Sequence, residues 1–489
     1  MQLSIFYNNL DAKNNRLFKL LVLFISLFIV NYIAKKNGSS GGSSTTIIFF
    51  VFELILIIID PVYSFIYSFV IHVDIFTSLA DSWIQAFSFL FMFYIFIKHP
   101  KSLSTLLEDI KLKKLFNLSL VLIIYVVFIN VGLKSGFTIE NIKISFGYIF
   151  GFLTILPAYY FTLNKPKDLF IGLFFVTVCF LFVYYLDIIK GYGIFKLESY
   201  LHLEESTMER LAGYDIRQFM IFFTYLIPAS LLVTNLKSIN KYLLISIGIA
   251  AYIILVLAFY RLAMFYVLMG TLLSYFSIKK YADTKNVIKY VIGFIVLLFT
   301  AGLFFGEYIT EIRNVFEIAL NYFSGKGGDA SADARFDLQL PILSGHFFND
   351  PFTGYGLVES VKLFRVGMMG FVDFPVLGTI TAYGIIGMSI YYYKFFVLLT
   401  GTKMNYLDME LNNHDPFIFY LNLTLRAYIV TMITFRFFYI SWEFTFDYQQ
   451  AEFGLFTGVF LALNNILSQE AQQEHYSENE ELLRSSNFY

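Results

Sequence analysis

Arginines are the residues of this chain whose type and spacing point most directly to chemistry. Arg210 and Arg217 lie about two turns apart if their segment is helical, Arg261 separates two apolar runs, and Arg335 lies in a long polar stretch. A guanidinium group stays charged at any working pH and binds phosphate through paired, planar hydrogen bonds. Several arginines facing one cavity would suit a pyrophosphate, whereas the acidic residues near Arg210 and Arg217 leave internal ion pairing as the alternative.

Familiar catalytic signatures are absent from the sequence. It has no HExxH, no GxxxxGK[ST] and no GxSxG, which argues against a zinc protease, a nucleotide-driven motor and a serine hydrolase of those types. The one cysteine, Cys179, leaves no cysteine pair for a disulfide or a metal cluster. A net charge of −1 supplies no basic field for nucleic acid. We therefore expect no metal, no cofactor and no nucleic-acid partner.

The elements that must position the arginines are membrane-spanning helices. Of the 489 residues, 58% are hydrophobic and 15% charged, whereas a soluble chain is about one quarter charged. A spanning helix needs roughly 20 apolar residues. Such runs predict spans at 17–34, 82–98, 115–133, 142–162, 168–189, 215–235, 241–258, 261–277, 286–306, 374–398, 416–438 and 451–466, with 46–73 too long for one ordinary span. The predicted fold is an all-α polytopic membrane protein with about 12–14 transmembrane helices.

The lysine and arginine content of short loops sets the orientation of the spans. Lysine-rich loops at 98–114, 163–167, 236–241 and 278–289 fall on one side when the spans alternate, so that side is predicted to be cytoplasmic. Connections as long as those on the opposite face are uncommon unless they carry function. The predicted divisions are an N-terminal transmembrane bundle (1–306) with an extracytoplasmic loop (190–214), a large extracytoplasmic loop (307–372), C-terminal transmembrane helices (373–466) and a disordered acidic cytoplasmic tail (467–489).

The large loop and the helix after it contain glycines at a characteristic spacing. The sequence reads DARFDLQLPILSGHFFNDPFTGYGLVES and then, after a short connection, GFVDFPVLGTITAYGIIGMSIYYY. Gly354 and Gly356 would let the backbone turn sharply after Pro351 and approach another group closely. Gly384 and Gly387 would give the following helix a flat face for close packing.

These residues resemble the polysaccharide polymerase and ligase family of bacterial membranes, the Wzy-type polymerases and O-antigen ligases. That family typically shows an arginine, then a Pro-x-x-Gly-x-Gly turn, then an outer-face polar residue opening a helix that contains Gly-[Ile/Leu]-x-Gly. The matching positions are Arg335, Pro351, Gly354, Gly356, Asp373, Gly384 and Gly387. Arg210 and Arg261 match further arginines of the family, although a serine beside the latter is Tyr260 here. The resemblance implies a GT-C-like fold.

The resemblance also implies an activity at the outer face of the bacterial cytoplasmic membrane. The enzyme would polymerise undecaprenyl-pyrophosphate-linked oligosaccharide repeat units into O-antigen, capsule or exopolysaccharide. Arg210, Arg217, Arg261 and Arg335 would bind the donor pyrophosphate, and Arg335 would also stabilise its developing charge. Asp373 would accept the proton of the attacking sugar hydroxyl, with inversion at the anomeric carbon. A chain-length regulator and a flippase are the expected protein partners.

Three alternatives remain open at this stage. An O-antigen ligase shares the fold but typically carries a histidine where this chain has Asp373, and His346 lies well upstream of that place. A transporter or flippase would place its substrate site on broken helices within internal repeats, and no repeat is evident. A structural or assembly factor would not need arginines clustered on one face.

Overall fold

A computed structural model of the chain is helical wherever regular structure is described. It describes residues 108–138, 141, 155–164, 166, 181, 185, 222–227, 241–257, 288, 340–365, 375–401, 416–438, 453–454 and 456–469, and these residues include no strand. The all-helical class predicted from the sequence is therefore confirmed for this part of the chain.

Seven helices follow one another in the described segments. They are α1 (Ile110–Tyr125, continued by a π-helical segment, Val126–Ser135), α2 (Ile155–Asn164), α3 (Lys241–Leu257), α4 (Leu340–Asn349), α5 (Leu357–Arg365), α6 (Pro375–Gly401) and α7 (Pro416–Phe438). Residues 456–469 form a further helical segment. α3, α6 and α7 coincide with apolar runs predicted as spans, whereas α4 and α5 lie inside the stretch 307–372 that was predicted to be a loop.

Two of the described helices are long and apolar enough to cross a bilayer. They are Ile110–Ser135 and Val376–Thr400. The first of them has two unlike faces, because Leu112 and Leu115 are fully buried while Ile124 and Phe128 are 56% and 62% exposed. Residues four apart lie on the same side of a helix, so Ile124 and Phe128 form an exposed apolar stripe on α1.

Asp109 starts α1 and also joins it to two other helical segments. Its Oδ1 accepts hydrogen bonds from the backbone N–H groups of Lys111 (2.8 Å) and Leu112 (3.0 Å), which caps the helix. The other carboxylate oxygen, Oδ2, accepts a hydrogen bond from the Tyr159 hydroxyl at 2.7 Å. Asn465 Nδ2 in turn donates to that hydroxyl oxygen at 2.8 Å. This chain of polar groups ties α1, α2 and the segment 456–469 together.

Aromatic rings and buried polar groups fill the contact between α7 and its neighbours. The Tyr428 ring lies 5.7 Å from the Phe222 ring and 5.0 Å from the Phe456 ring, both edge-on. Asn422 Nδ2 donates to Asn464 Oδ1 at 2.9 Å across the interface with the segment 456–469. Edge-to-face rings add specific geometry to the apolar burial, so this contact has a defined register.

Tyr159→Phe is expected to destabilise the helix bundle by about 1–3 kcal/mol, because Asp109 and Asn465 both lose their hydrogen-bond partner. Thermal unfolding of the detergent-purified protein measures the change. Tyr242→Phe is the matched control, because Tyr242 is 84% exposed and its loss of a hydroxyl is expected to leave the unfolding temperature unchanged. Equal unfolding temperatures for both variants would contradict the role given to Tyr159.

Candidate functional site: a turn docked in a broken helix

α6 is interrupted at Gly384, where the backbone leaves the helical conformation. Gly384 has φ 69° and ψ 177°, a region that residues other than glycine essentially never occupy. A break of this kind leaves the carbonyls before it and the N–H groups after it without partners inside the helix. The sequence predicted that Gly384 and Gly387 give the helix a face flat enough for close packing. Gly384 instead interrupts the helix, whereas Gly387 packs closely against the ring of Tyr125.

The turn between α4 and α5, residues 350–356, supplies the partners that α6 lacks. Two N–H groups of the turn donate to carbonyls before the break, and two carbonyls of the turn accept from N–H groups after it. The four bonds run from Tyr355 to Thr381 (2.6 Å), Gly356 to Ala382 (3.1 Å), Ile385 to Pro351 (2.9 Å) and Ile386 to Phe352 (3.3 Å). All of them join backbone atoms, so the turn replaces the bonds that a continuous helix would make.

Glycine is required on both sides of this contact. Gly354 and Gly356 have φ values of 74° and 112°, and both lie in the docked turn. A Cβ atom added to Gly354 would lie 2.7 Å from Thr381 O and would overlap Gly384 N. A Cβ atom added to Gly384 would lie 2.6 Å from Gly354 N and would overlap Phe352 O. Because these neighbours are backbone atoms, they have no alternative rotamer by which to move away.

Asp350 shapes the docked turn from within. Its backbone carbonyl accepts from Gly354 N at 3.0 Å. Its carboxylate Oδ1 accepts from Thr353 N at 3.2 Å and from the Thr353 hydroxyl at 2.8 Å. Aspartate commonly folds a turn by such bonds to the backbone that follows it.

Lys134, near the end of the π-helical segment, binds the docked turn from outside. Its Nζ contacts Asp350 Oδ2 and Gly354 O, and its side chain is only 18% exposed. Burial raises the pKa of the Asp350 carboxyl, but hydrogen bonds from Lys134 and Thr353 outweigh that effect and hold the pKa below its ordinary value. The carboxylate is therefore charged and paired.

Tyr125, the last residue of α1, contacts the broken helix and the turn together. Its hydroxyl donates to Tyr383 O at 2.7 Å and also lies 3.4 Å from Thr353 O. Its ring covers Gly387, where an added Cβ would lie 2.6 Å from the ring atom Cε1. Around this point an apolar cluster joins α5, α6 and the π-helical segment through Val126, Val131, Leu357, Val358, Ala382 and Tyr383.

α4 approaches the break along the first half of α6. The Thr381 hydroxyl lies 3.4 Å from Leu343 O, and the rings of His346 and Tyr355 lie 4.2 Å apart. His346 thus packs against the docked turn, and its place is separate from the opening of α6.

Of the site residues predicted from the sequence, the described part of the chain includes the loop motif. Pro351, Gly354 and Gly356 come together at the break in α6. The predicted substrate-binding and catalytic residues lie outside the described residues: Arg210, Arg217, Arg261, Arg335 and Asp373. Sequence reasoning missed Lys134, Asp350 and Tyr125. For Asp350 a signal existed, because an Asp-Pro pair before Gly-x-Gly is typical of a turn; Tyr125 carries no such signal.

Comparison with known proteins adds no family or relative. No protein-family model matches the chain, and no curated protein is significantly similar to it. Within the described segments, no three His, Cys, Asp or Glu side chains are grouped so that they could hold a metal ion.

Proposed function

We propose that this is a multi-pass protein of the bacterial cytoplasmic membrane. The two long apolar helices and the exposed stripe on α1 support this placement. So does the position of the polar contacts. The loop charges put Lys134 and Asp350 on the outer side, and these residues pair with each other. Asp109, Tyr159 and Asn465 fall at the cytoplasmic ends of their predicted spans, and they too meet one another.

Within that membrane, we infer that the protein polymerises lipid-pyrophosphate-linked oligosaccharide repeat units. The observation that carries this inference is the contact between the two glycine motifs. Pro-x-x-Gly-x-Gly at 351–356 and Gly-x-x-Gly at 384–387 are separate in the sequence, yet four backbone hydrogen bonds make them one unit. The match in motif spacing carries more weight when the motifs form one structure. Here the two glycine motifs, which carry the resemblance to the polymerase and ligase family, do form one structure.

The docked turn also accounts for how the proposed catalytic residues would be brought near each other. Arg335 lies five residues before α4, and Asp373 lies two residues before α6. α4 has ten residues, about 15 Å of helix, and nine residues from Pro375 to the break span about 13 Å. Both helical lengths lead to the same docked turn, and they contact each other where the Thr381 hydroxyl meets Leu343 O. Arg335 and Asp373 would then adjoin the same end of the pair.

The proposed reaction is a glycosyl transfer between two lipid-linked sugars. Arg335, with Arg210, Arg217 and Arg261, would bind the pyrophosphate of the donor chain. The bond from the anomeric carbon to the pyrophosphate oxygen breaks, and undecaprenyl pyrophosphate leaves with the bonding electron pair. The acceptor hydroxyl attacks the opposite face of that carbon and gives its proton to the Asp373 carboxylate. Pyrophosphate is a good leaving group, so the protein would contribute mainly positioning and charge stabilisation.

A broken helix is also a feature of transporters, which makes a flippase the candidate from a different class. In such proteins the freed backbone groups coordinate the substrate or an ion. Here the carbonyls of Thr381 and Ala382 and the N–H groups of Ile385 and Ile386 are bonded to the turn 350–356. The break is thus filled by the protein itself, which favours a structural use of the break over transport.

Deletion of the gene tests the proposed activity. Surface polysaccharide from the deletion strain is separated on a gel and compared with that of the parent strain. A polymerase is supported if lipid-linked single repeats persist while the long ladder disappears. Accumulation of long lipid-linked polymer that never reaches its final acceptor would instead identify a ligase, and loss of repeats from the outer leaflet would identify a flippase.

A further inference from the structure

Lys134 makes contacts that a residue at the end of an apolar helix does not ordinarily need. A lysine near a membrane surface usually extends its ammonium group into water. The Lys134 side chain is instead 18% exposed, and its ammonium binds both a carboxylate and a backbone carbonyl of the turn. Withdrawing a charge from water is unfavourable unless it is paired and hydrogen-bonded. The arrangement therefore implies that the role of Lys134 is to bind the turn 350–356.

The π-helical segment explains how Lys134 reaches the turn. Lys134 follows Tyr125 by nine residues. In an α-helix, nine steps of about 100° would place the two side chains on opposite faces. A π-helix closes its hydrogen bonds from i to i+5 and has about 4.4 residues per turn, so nine steps bring the side chain back to within about 20° of its starting direction. The segment Val126–Ser135 is π-helical, and both Tyr125 and Lys134 contact the same turn.

Tyr125 and Lys134 hold the two sides of the docked contact. Tyr125 binds the carbonyl of Tyr383 beside the break. Lys134 binds the carbonyl of Gly354 and neutralises Asp350, which itself folds the turn through Thr353. Tyr125 therefore fixes the helix that receives the turn, while Lys134 fixes the turn that enters it.

We propose that Lys134 is a positioning residue: turned toward Tyr125 by the π-helical segment, it locks the turn 350–356 into the break of α6 and so fixes the helix ends that lead to the catalytic groups. The positional part rests on contacts between described residues. The catalytic part rests on the proposed polymerase function.

The labelling rate of a buried thiol next to the turn measures docking independently of enzymatic activity. Cys179→Ser removes the native cysteine, and Ser360→Cys then adds one at a position that is fully buried in α5. With Lys134 intact, that thiol is expected to resist N-ethylmaleimide in isolated membranes. With Lys134→Met, labelling is expected to be about tenfold faster or more, because a charge-assisted hydrogen bond and its carboxylate pair are lost. A cysteine at Gly345, which is exposed, should label at one rate in both backgrounds.

Polymer formation is measured in the same strains. Lys134→Met is expected to reduce the polysaccharide ladder about tenfold or more, while Lys134→Arg, which keeps a cation and its donors, is expected to restore it. Lys362→Met is the matched control, because Lys362 also pairs with a carboxylate, Glu359, but at a half-exposed site within α5. It is expected to change neither labelling nor polymer.

The two readouts separate the possible failures. Unchanged labelling in Lys134→Met would overturn the proposal, since the turn would then be held without Lys134. Faster labelling with a normal ladder would also overturn it, because the docked turn would not position the reaction. If the unmodified protein makes no polymer at all, the polymerase assignment fails, and labelling alone decides whether Lys134 holds the turn.

Discussion

Gly384→Ala is expected to prevent the protein from accumulating in the membrane. Alanine at φ 69° and ψ 177° would occupy a region that is essentially restricted to glycine, and this backbone strain would cost about 1–3 kcal/mol of stability. Its Cβ would also overlap the Phe352 carbonyl. The turn would have to withdraw, and each lost backbone hydrogen bond removes about 1 kcal/mol and leaves buried polar groups unpaired. The total is comparable with the whole stability of an ordinary domain, about 5–15 kcal/mol.

Two other glycines separate the parts of this effect. Gly136 has a similar backbone conformation, φ 79° and ψ 154°, but nothing lies within 4 Å of its added Cβ. Gly136→Ala should therefore show only the backbone strain. Gly345 in α4 also has open space around it, and Gly345→Ala should be neutral or stabilising by about 0.5–1 kcal/mol. Immunoblots of membranes give the protein levels, and detergent melting curves give the stabilities. Equal values for the Gly384 and Gly136 variants would contradict the backbone overlap.

Arg335→Ala is expected to reduce the polysaccharide product at least about 100-fold, the usual effect of removing one group that stabilises developing charge. The level of the protein in the membrane should stay unchanged, because Arg335 is proposed to bind substrate and lies outside the turn 350–356 in the sequence. Arg335→Lys should give an intermediate yield, since lysine keeps the charge and loses the paired planar donors. Gels of surface polysaccharide, with immunoblots of the same membranes, measure both quantities.

Lys113→Ala is the control for the removal of a cation. Lys113 is exposed in α1 and falls in a loop predicted to be cytoplasmic, so its loss should leave the ladder intact. A ladder of normal length and amount in Arg335→Ala would remove Arg335 from the substrate site. A reduced protein level in that variant would assign it to folding.

The existence of the long helices followed from the sequence, whereas the break in one of them did not. Hydropathy predicts a span at 374–398, and α6 extends over Pro375–Gly401. A long helix of this kind can be recognised from the length of its apolar run alone. Gly384 has the same appearance whether it packs a helix face or interrupts the helix. Which of these occurs depends on a turn that is thirty residues away in the sequence and that can replace the lost hydrogen bonds. The sequence around Gly384 does not show that such a turn exists elsewhere in the chain.

The candidate site, like the helices, could be predicted from the sequence only in part. The sequence indicates a turn at Pro351, Gly354 and Gly356, since proline and glycine restrict the backbone locally. It gives no reason to choose Lys134 over other lysines near the ends of spans. The pairing with Asp350 bridges 216 residues, and it depends on the change from α-helical to π-helical winding after Tyr125. A prediction that assumes one helical period places Lys134 on the wrong face.

The docked turn has a consequence for the order in which the chain is made. The ribosome releases Lys134 first, the turn much later, and the break of α6 last. In the proposed membrane placement, the turn is synthesised before the break of α6 and has nothing to bind until that break is made. Hydrocarbon offers no water to satisfy either set of backbone groups in the meantime. Neither piece can reach its final state alone. The docked contact can therefore form only after three segments made at different times have all been synthesised.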